Sequence, residues 1–405
     1  MQLEEGIAAR NVSDDDRKKP RRQWRHWVVA FGRYERCARV GTLGIFALWV
    51  MFLFIYYSGR TPETARATVA AAGGDANRGR IAKPDAHAAA WEVAFPDSTN
   101  FLVIGDYGTG DTNQRQVAKG FASFAAALDP PPAFVVSTGD QIYEHGFKSA
   151  KDQVLVDRFE ELTTNDDMLQ MYTEQSLQVP WYIVIGNHDC EGSVDAMMQY
   201  AKQERSLWYM PRRYYTIDRP VAPKAILRMV VVDACDLVCG TEPRNVRCNE
   251  LMNQETSKET RLEQYKWIDS VLSAPKPAGV DKMWTIVVGH WAVYSYAGNA
   301  ATSELIANLD PLLKKHHVHA YFSGHDHSLQ HLKQVEDGWT RNYFVSGAGG
   351  YRIHTLQPNA RANPDLVHAA MTFGFMWVRI TDAQFLVQFL DKAGEVLYTT
   401  EVQYQ

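Results

Sequence analysis

Five apolar runs rich in Val, Ile and aromatic residues each stop at a small cluster of Gly and polar residues, and no other feature limits the possible folds of this chain so strongly. "NFLVIGD" ends at Asp106, "PAFVVSTGD" at Asp140, "PWYIVIGNHD" at Asn187 and His188, "WTIVVGH" at His290, and "HAYFSGHDH" at His325 and His327. Continuous apolar runs of this length are the signature of strands buried on both faces. Between them lie stretches of helical period such as "NQRQVAKGFASFAAALD" and "ETRLEQYKWIDSVLSA". The alternation predicts an α/β fold, and in such folds ligands bind beyond the carboxyl ends of the strands. One Gly-Asp after a strand is an ordinary turn, and one histidine an ordinary core residue. Five strands that all end in metal-ligand chemistry are hard to explain as five independent turns.

The chain has 405 residues, of which 46% are apolar, enough for one large α/β unit with appendages. The net charge of -5 is unevenly spread: residues 1–39 carry ten Lys/Arg against six Asp/Glu, a balance of +4, so residues 40–405 carry -9. An acidic body has no basic face to neutralise a phosphate backbone, which argues against nucleic-acid binding.

Residues 40–59, "VGTLGIFALWVMFLFIYYSG", contain no charge. At 1.5 Å per residue they make about 30 Å of helix, the thickness of a hydrocarbon core. The basic flanks "RKKPRRQWRHW" and "GRYERCAR" do not suit a buried helix, and the segment before the run is too long for a cleaved signal peptide. Lys and Arg are dense before the run and sparse after it, which predicts a single-pass type II protein with residues 1–39 as a cytosolic tail. Residues 60–98, rich in Ala, Gly, Arg and Pro, read as a flexible stalk, and residues 99–405 as a lumenal or extracellular catalytic domain.

Cys37 precedes the span and reads as a palmitoylation site or a plain membrane-proximal thiol. Cys190, Cys235, Cys239 and Cys248 would lie in an oxidising compartment and allow three pairings. The short separation of Cys239 and Cys248 favours that pair. The single Asn-X-Ser/Thr sequon is at Asn11, on the cytosolic side.

"GDYG" (105–108), "GDQIY" (139–143), "GNHD" (186–189), "VVGH" (287–290) and "GHDH" (324–327) together resemble the motif set of the purple acid phosphatases, nearest the small animal-type branch that includes tartrate-resistant acid phosphatase. The resemblance runs from about residue 99 to the C-terminus and takes in "YFVSGAGG" and the hairpin-like "FGFMWVRITDAQFLVQFLDKAGEVLYTTEV". It implies two mixed β-sheets packed as a sandwich with flanking helices, and a two-metal centre at one edge. By the family pattern Asp106, Tyr143 and His327 bind the first metal, and Asn187, His290 and His325 the second. Asp140 bridges both through its two carboxylate oxygens, and His188 stands just outside.

Two carboxylates and a phenolate suit a hard trivalent ion, Fe(III). Amide and imidazole ligands with the shared carboxylate suit Fe(II), Zn or Mn. Ordinary metallophosphoesterases place a histidine two residues after the first Asp, where this chain has Gly108. Tyr143 takes the place of that ligand. Keeping a tyrosine ionised at pH 7 costs about 4 kcal/mol, which a ferric ion offsets and a magnesium ion does not. In the family the tyrosinate-to-iron charge transfer gives the visible colour. The implied activity is acid hydrolysis of phosphate monoesters by a metal-activated hydroxide, with His188 binding the phosphate or protonating the leaving oxygen. Phosphodiesters or pyrophosphates on the same centre, and a catalytically silent surface receptor, are the rival readings.

Three features depart from the pattern or imitate it. The animal enzymes carry another histidine at the position of Asn299, so leaving-group protonation falls to His188 alone or to His145. "CGTEPRNVRCNELMNQETSKETR" replaces the animal enzymes' protease-sensitive loop. "KKHHVH" (314–319) looks like a metal tract but reads as surface histidines between a helix and a strand.

Overall fold

The computed structural model describes residues 96–160, 172–204, 206–239, 248 and 258–405. The expected tail, the expected span at 40–59 and nearly all of the stalk lie outside them. Among the described residues no helix is long and apolar enough to cross a membrane.

The first apolar runs become β1 (Thr99–Ile104), β2 (Pro132–Ser137) and β3 (Trp181–Ile183), followed by β4 (Trp208–Tyr209), β5 (Tyr215–Ala222) and β6 (Ala225–Val231). The later ones become β7 (Lys282–Val288) and β8 (Ala320–Ser323). β9 (Leu329–Glu336), β10 (Trp339–Ser346), β11 (Leu366–Ala370), β12 (Gly374–Ile380), β13 (Phe385–Asp391) and β14 (Val396–Val402) complete the set. They form two mixed seven-stranded sheets, ordered β14-β13-β12-β1-β2-β3-β4 and β11-β9-β10-β8-β7-β6-β5. β1, β2, β3 and β4 run parallel in the first sheet, and β6, β7, β8 and β10 in the second. Every residue of β1, β6 and β8 is buried, as strands covered on both faces require.

One hydrophobic core joins the sheets. Trp284 of β7 meets Phe385 of β13 edge-on at 5.3 Å, and Phe344 of β10 meets Phe389 at 6.3 Å. At the end that carries the polar clusters the sheets are also hydrogen-bonded. Ser346 Oγ donates to Val103 O at 3.1 Å, and Thr138 Oγ1 donates to Ser346 O at 3.1 Å.

The periodic stretch after β1 is helix α1 (Thr112–Ala127), started by Asp111, whose carboxylate accepts from the backbone of Asn113 and Gln114. Val117, Phe121 and Ala125 lie one turn apart and face the sheet, and Phe121 meets Phe375 of β12 at 4.9 Å. Burying such a side chain contributes about 1.5–3 kcal/mol. α2 (Asn187–Cys190), α3 (Ala234–Val238) and α4 (Lys258–Ser273) follow, α4 being the second stretch of helical period. Cys190 is bonded to Cys235 and Cys239 to Cys248, so the favoured short pairing is present and the first bond joins α2 to α3.

In the histidine tract one expectation changes. His319 is buried, and its Nδ1 accepts from the Thr285 N–H at 3.1 Å. β8 begins at the next residue, so the strand carries His319 into the core. His316 pairs with Asp269 at 2.6 Å.

Candidate metal centre

Asp106, Asp140 and His325 follow the carboxyl ends of β1, β2 and β8 with positive φ of 59°, 53° and 65°. L-residues held there store of order 1 kcal/mol or more of strain, which recurs where function demands a fixed side-chain direction. The gain here is hydrogen bonding from the turns themselves. The Asp106 N–H donates to Gly139 O at 3.0 Å, and the His325 N–H donates to the Asp106 carboxylate at 3.0 Å.

The seven expected ligands converge at this edge. Tyr143 Oη lies 3.1 Å from Asp106 Oδ1, 3.1 Å from Asp140 Oδ2 and 3.5 Å from His327 Nε2. His327 Nε2 is in turn 3.3 Å from Asp106 Oδ1. On the other side His290 Nε2 is 3.0 Å from Asn187 Oδ1, 3.3 Å from Asp140 Oδ2 and 3.3 Å from His325 Nδ1. His325 Nδ1 is 2.8 Å from Asn187 Oδ1.

Asp140 Oδ2 faces both groups, while Oδ1 accepts from the His188 N–H at 2.9 Å. The shared contact is one oxygen, because α2 begins at Asn187 and turns its backbone donor onto the other.

The donor set fits two cations. His290 Nδ1 donates to Thr138 O at 2.8 Å and His327 Nδ1 to Arg352 O at 2.8 Å, since a carbonyl only accepts. This fixes Nε2 as the atom each ring turns to the centre. One proton on an imidazole satisfies one of the close acceptor contacts at a time, whereas a cation at their focus satisfies them together. The field favours positive charge: although burial opposes it, the Asp140 carboxylate raises His290 to about 9. Burial, then Asp106 and Asp140, holds the Tyr143 phenol well above its ordinary value, so ionising it requires a strong local cation. Asp189, buried behind the centre, accepts from the backbone of Gly186 (2.9 Å), Asp140 (2.9 Å) and Gln141 (3.2 Å) and ties the two ligand loops together.

Gly108 explains the exchange of ligand. A Cβ there would lie 1.6 Å from the Gln141 carbonyl oxygen and 2.7 Å from Ile142 Cα. The 140–143 loop therefore occupies the space a side chain at 108 would need. The Tyr143 N–H donates to Gly108 O at 2.9 Å, and the Arg158 guanidinium donates to the carbonyl of Tyr143. A side chain at 108 and the present course of the loop that carries Tyr143 therefore exclude each other.

A cleft of about 300 Å³ opens over the centre, lined by Asp140, Asn187, His188, Asn299, His325, His327 and the segment Tyr351, Arg352 and His354. His188 Nδ1 donates to Glu144 O, which leaves Nε2 as the ring nitrogen available to the cleft. Asn299 spends its amide on His325 O at 2.6 Å. His145 is absent from the lining, with 73% of its side chain exposed and paired with Glu191. Tyr351, Arg352 and His354 were not legible as site residues. Their one signal is position: they follow the glycine-rich "SGAGG" that closes β10. His354 Nδ1 lies 2.7 Å from the buried Asp326 carboxylate, its ring stacked on His327 at 4.1 Å.

The calcineurin-like phosphoesterase family model matches residues 91–329. Purple acid phosphatase 4 of Arabidopsis thaliana is 32% identical over 314 residues, spanning 75% of this chain and 83% of that protein. Tartrate-resistant acid phosphatase type 5 of Oryctolagus cuniculus is 27% identical over 337 residues, spanning 77% and 93%. Among solved structures, GAP50, described as the anchor in the inner membrane complex of Plasmodium, superposes with a TM-score of 0.62 at 22% identity, covering 76% of this chain and 90% of that one. Purple acid phosphatase PPD1 from yellow lupin (Lupinus luteus) seeds gives a TM-score of 0.53 at 15% identity, covering 76% and 54%. At these identities the two structures speak for the fold alone.

Proposed function

This chain belongs to the purple acid phosphatase family of calcineurin-like phosphoesterases, and from that premise we propose a membrane-anchored phosphatase of monoesters with an Fe(III)–M(II) centre, M being Fe, Zn or Mn. The protein is an acid phosphatase with a two-metal phosphoesterase site. In our assignment Asp106, Tyr143 and His327 hold the trivalent ion and Asn187, His290 and His325 the divalent one, with Asp140 shared. The observation that carries it is the convergence of these acceptors on two foci around Asp140 Oδ2. When bound, the ions supply Lewis-acid stabilisation of the phosphoryl charge and activate water at acidic pH.

The chain's own residues orient the ester and handle the proton. The backbone carbonyls of Thr138 and Arg352 hold the imidazoles of His290 and His327 in register, and the His188 N–H fixes the Asp140 carboxylate, which would be shared by the two ions. His188 Nε2 binds the phosphate or gives a proton to the leaving oxygen. Metal analysis of the purified chain with a panel of phosphate esters tests the whole reading. Asn187→Ala should release the divalent ion alone and lower turnover by about 10²-fold, since a catalytic ion is worth several kcal/mol. Near-normal activity with two ions bound would show the ligand assignment to be wrong.

Anchoring rests on residues 40–59 and their basic flank. In sealed cytosol-side-out vesicles an N-terminal tag should be digested by external protease directly, and a C-terminal tag only after the vesicles are permeabilised. The reverse pattern, or a soluble protein lacking residues 40–59, refutes the type II topology.

A further inference from the structure

The roughly 300 Å³ cleft is at the lower end of small-molecule sites, with room for a leaving group beside the phosphoryl group. The segment after β10 supplies that room with an unusual wall. Tyr351 stacks on Tyr143 with ring centroids 4.0 Å apart and planes 17° apart. The Arg352 guanidinium sits 4.8 Å over the Tyr351 ring and donates to its hydroxyl at 2.8 Å. That hydroxyl lies 3.4 Å from Glu144 Oε1. The Arg352 carbonyl accepts from His327, so the backbone of the segment is tied to the centre itself.

Two properties single out Arg352. Among the described residues of the lining it alone carries a fixed positive charge. Among the described residues it has no carboxylate partner, although the body of the protein is acidic. A guanidinium stacked on an aromatic ring is pre-ordered and loses little freedom on binding. Its planar fork matches a phosphate in bidentate fashion. The scissile phosphoryl group already has the centre to neutralise it, so a cation at the wall answers a second anion. Asn299, with its amide committed to the His325 carbonyl, leaves the adjoining wall without another.

We propose that Arg352, ordered on Tyr351, is a specificity-determining residue that selects substrates whose leaving group carries its own phosphate one bridge from the scissile phosphorus. The class comprises inorganic pyrophosphate and nucleoside diphosphates. The inference rests on the phosphatase reading of the centre. In the reaction the oxygen of water bonds to the phosphorus at the centre and the bond from that phosphorus to the bridging oxygen breaks. The leaving phosphate keeps the bridging oxygen and its electron pair and takes up one proton of the water. Arg352 pairs with the charge of that leaving phosphate before and after the bond breaks.

The test is isothermal titration of the metal-loaded full-length chain with methylenediphosphonate and, separately, orthophosphate. The ratio of the two affinities should fall about tenfold in Arg352→Gln, equivalent to roughly 1.4 kcal/mol, and should be partly restored in Arg352→Lys, which keeps the charge but not the fork. An unchanged ratio, with both affinities falling together or neither falling, overturns the proposal. Turnover of an aryl phosphate by the wild type checks the underlying reading separately. A protein that keeps the Arg352-dependent ratio but cleaves no ester would retain the subsite and lose the phosphatase reading.

Discussion

Asp140→Asn should empty both halves of the centre at once and lower phosphate-ester hydrolysis by about 10³-fold or more, because each ion supplies several kcal/mol of transition-state stabilisation. The substitution nearly conserves shape, so the loss is chemical. Asp140 Oδ1 accepts from the His188 N–H at 2.9 Å, and the amide oxygen of asparagine would keep that bond. The NH₂ group then takes the place of Oδ2, the one atom that faces both Tyr143 and His290. A shared anionic acceptor becomes a shared donor. The fold should persist, but the metal-free variant should melt somewhat lower, because the buried Asp140 carboxylate pairs with His290 at 3.3 Å and the substitution removes that attraction. The checks are metal content by mass spectrometry, turnover, and thermal melting without added metal. A variant that holds two ions and turns over at near wild-type rate refutes the shared-ligand role.

The contrast with Asn187→Ala sharpens that test. Asn187 contacts only the imidazoles of one side, so its loss should leave one ion bound. Asp140→Asn should leave none. Equal metal loss in the two variants would mean that the foci are not separable.

Most of this site was legible because its residues terminate buried strands, where the apolar run marks the strand and the first polar residues mark its exit. Asp106, Asp140, Asn187, His290 and His325 all sit at such exits. That Asp140 faces both groups through Oδ2 was not legible, because it depends on α2 turning the His188 N–H onto the other carboxylate oxygen, a matter of backbone direction rather than composition. The wall formed by Tyr351, Arg352 and His354 escaped for a similar reason. It belongs to no strand or helix, and only tertiary packing against Tyr143 and His327 brings it to the cleft. Gly108 is an intermediate case. Its sequence shows a missing histidine, whereas the cause, a carbonyl oxygen 1.6 Å from where a Cβ would be, lies in another loop. His319 was misjudged because a polar residue next to a surface tract gives no sign that its strand has already entered the core.

Tyr143→Phe should abolish the visible colour of the iron-loaded protein and weaken its hold on the first ion, while turnover falls less. Burial and two carboxylates oppose ionisation of this phenol, so a phenolate forms only if the bound cation outweighs them, and a trivalent ion is the candidate with sufficient charge. Phenylalanine keeps the ring stacked on Tyr351 at 4.0 Å and beside His188 at 4.5 Å, and removes only the oxygen. Asp106, His327 and Asp140 remain to retain the ion in part, and the phosphate still meets His188. Tyr351→Phe is the matched control. It too removes one hydroxyl from the same stacked pair, but from the ring outside the ligand set, and the band should persist. Loss of the band in Tyr351→Phe but not in Tyr143→Phe would assign the phenolate to the wrong side of the stack. An active wild type that is colourless and holds only zinc or manganese would overturn the ferric assignment, leaving Tyr143 a neutral or weakly ionised ligand of a divalent site, which Gly108 would still require for steric reasons.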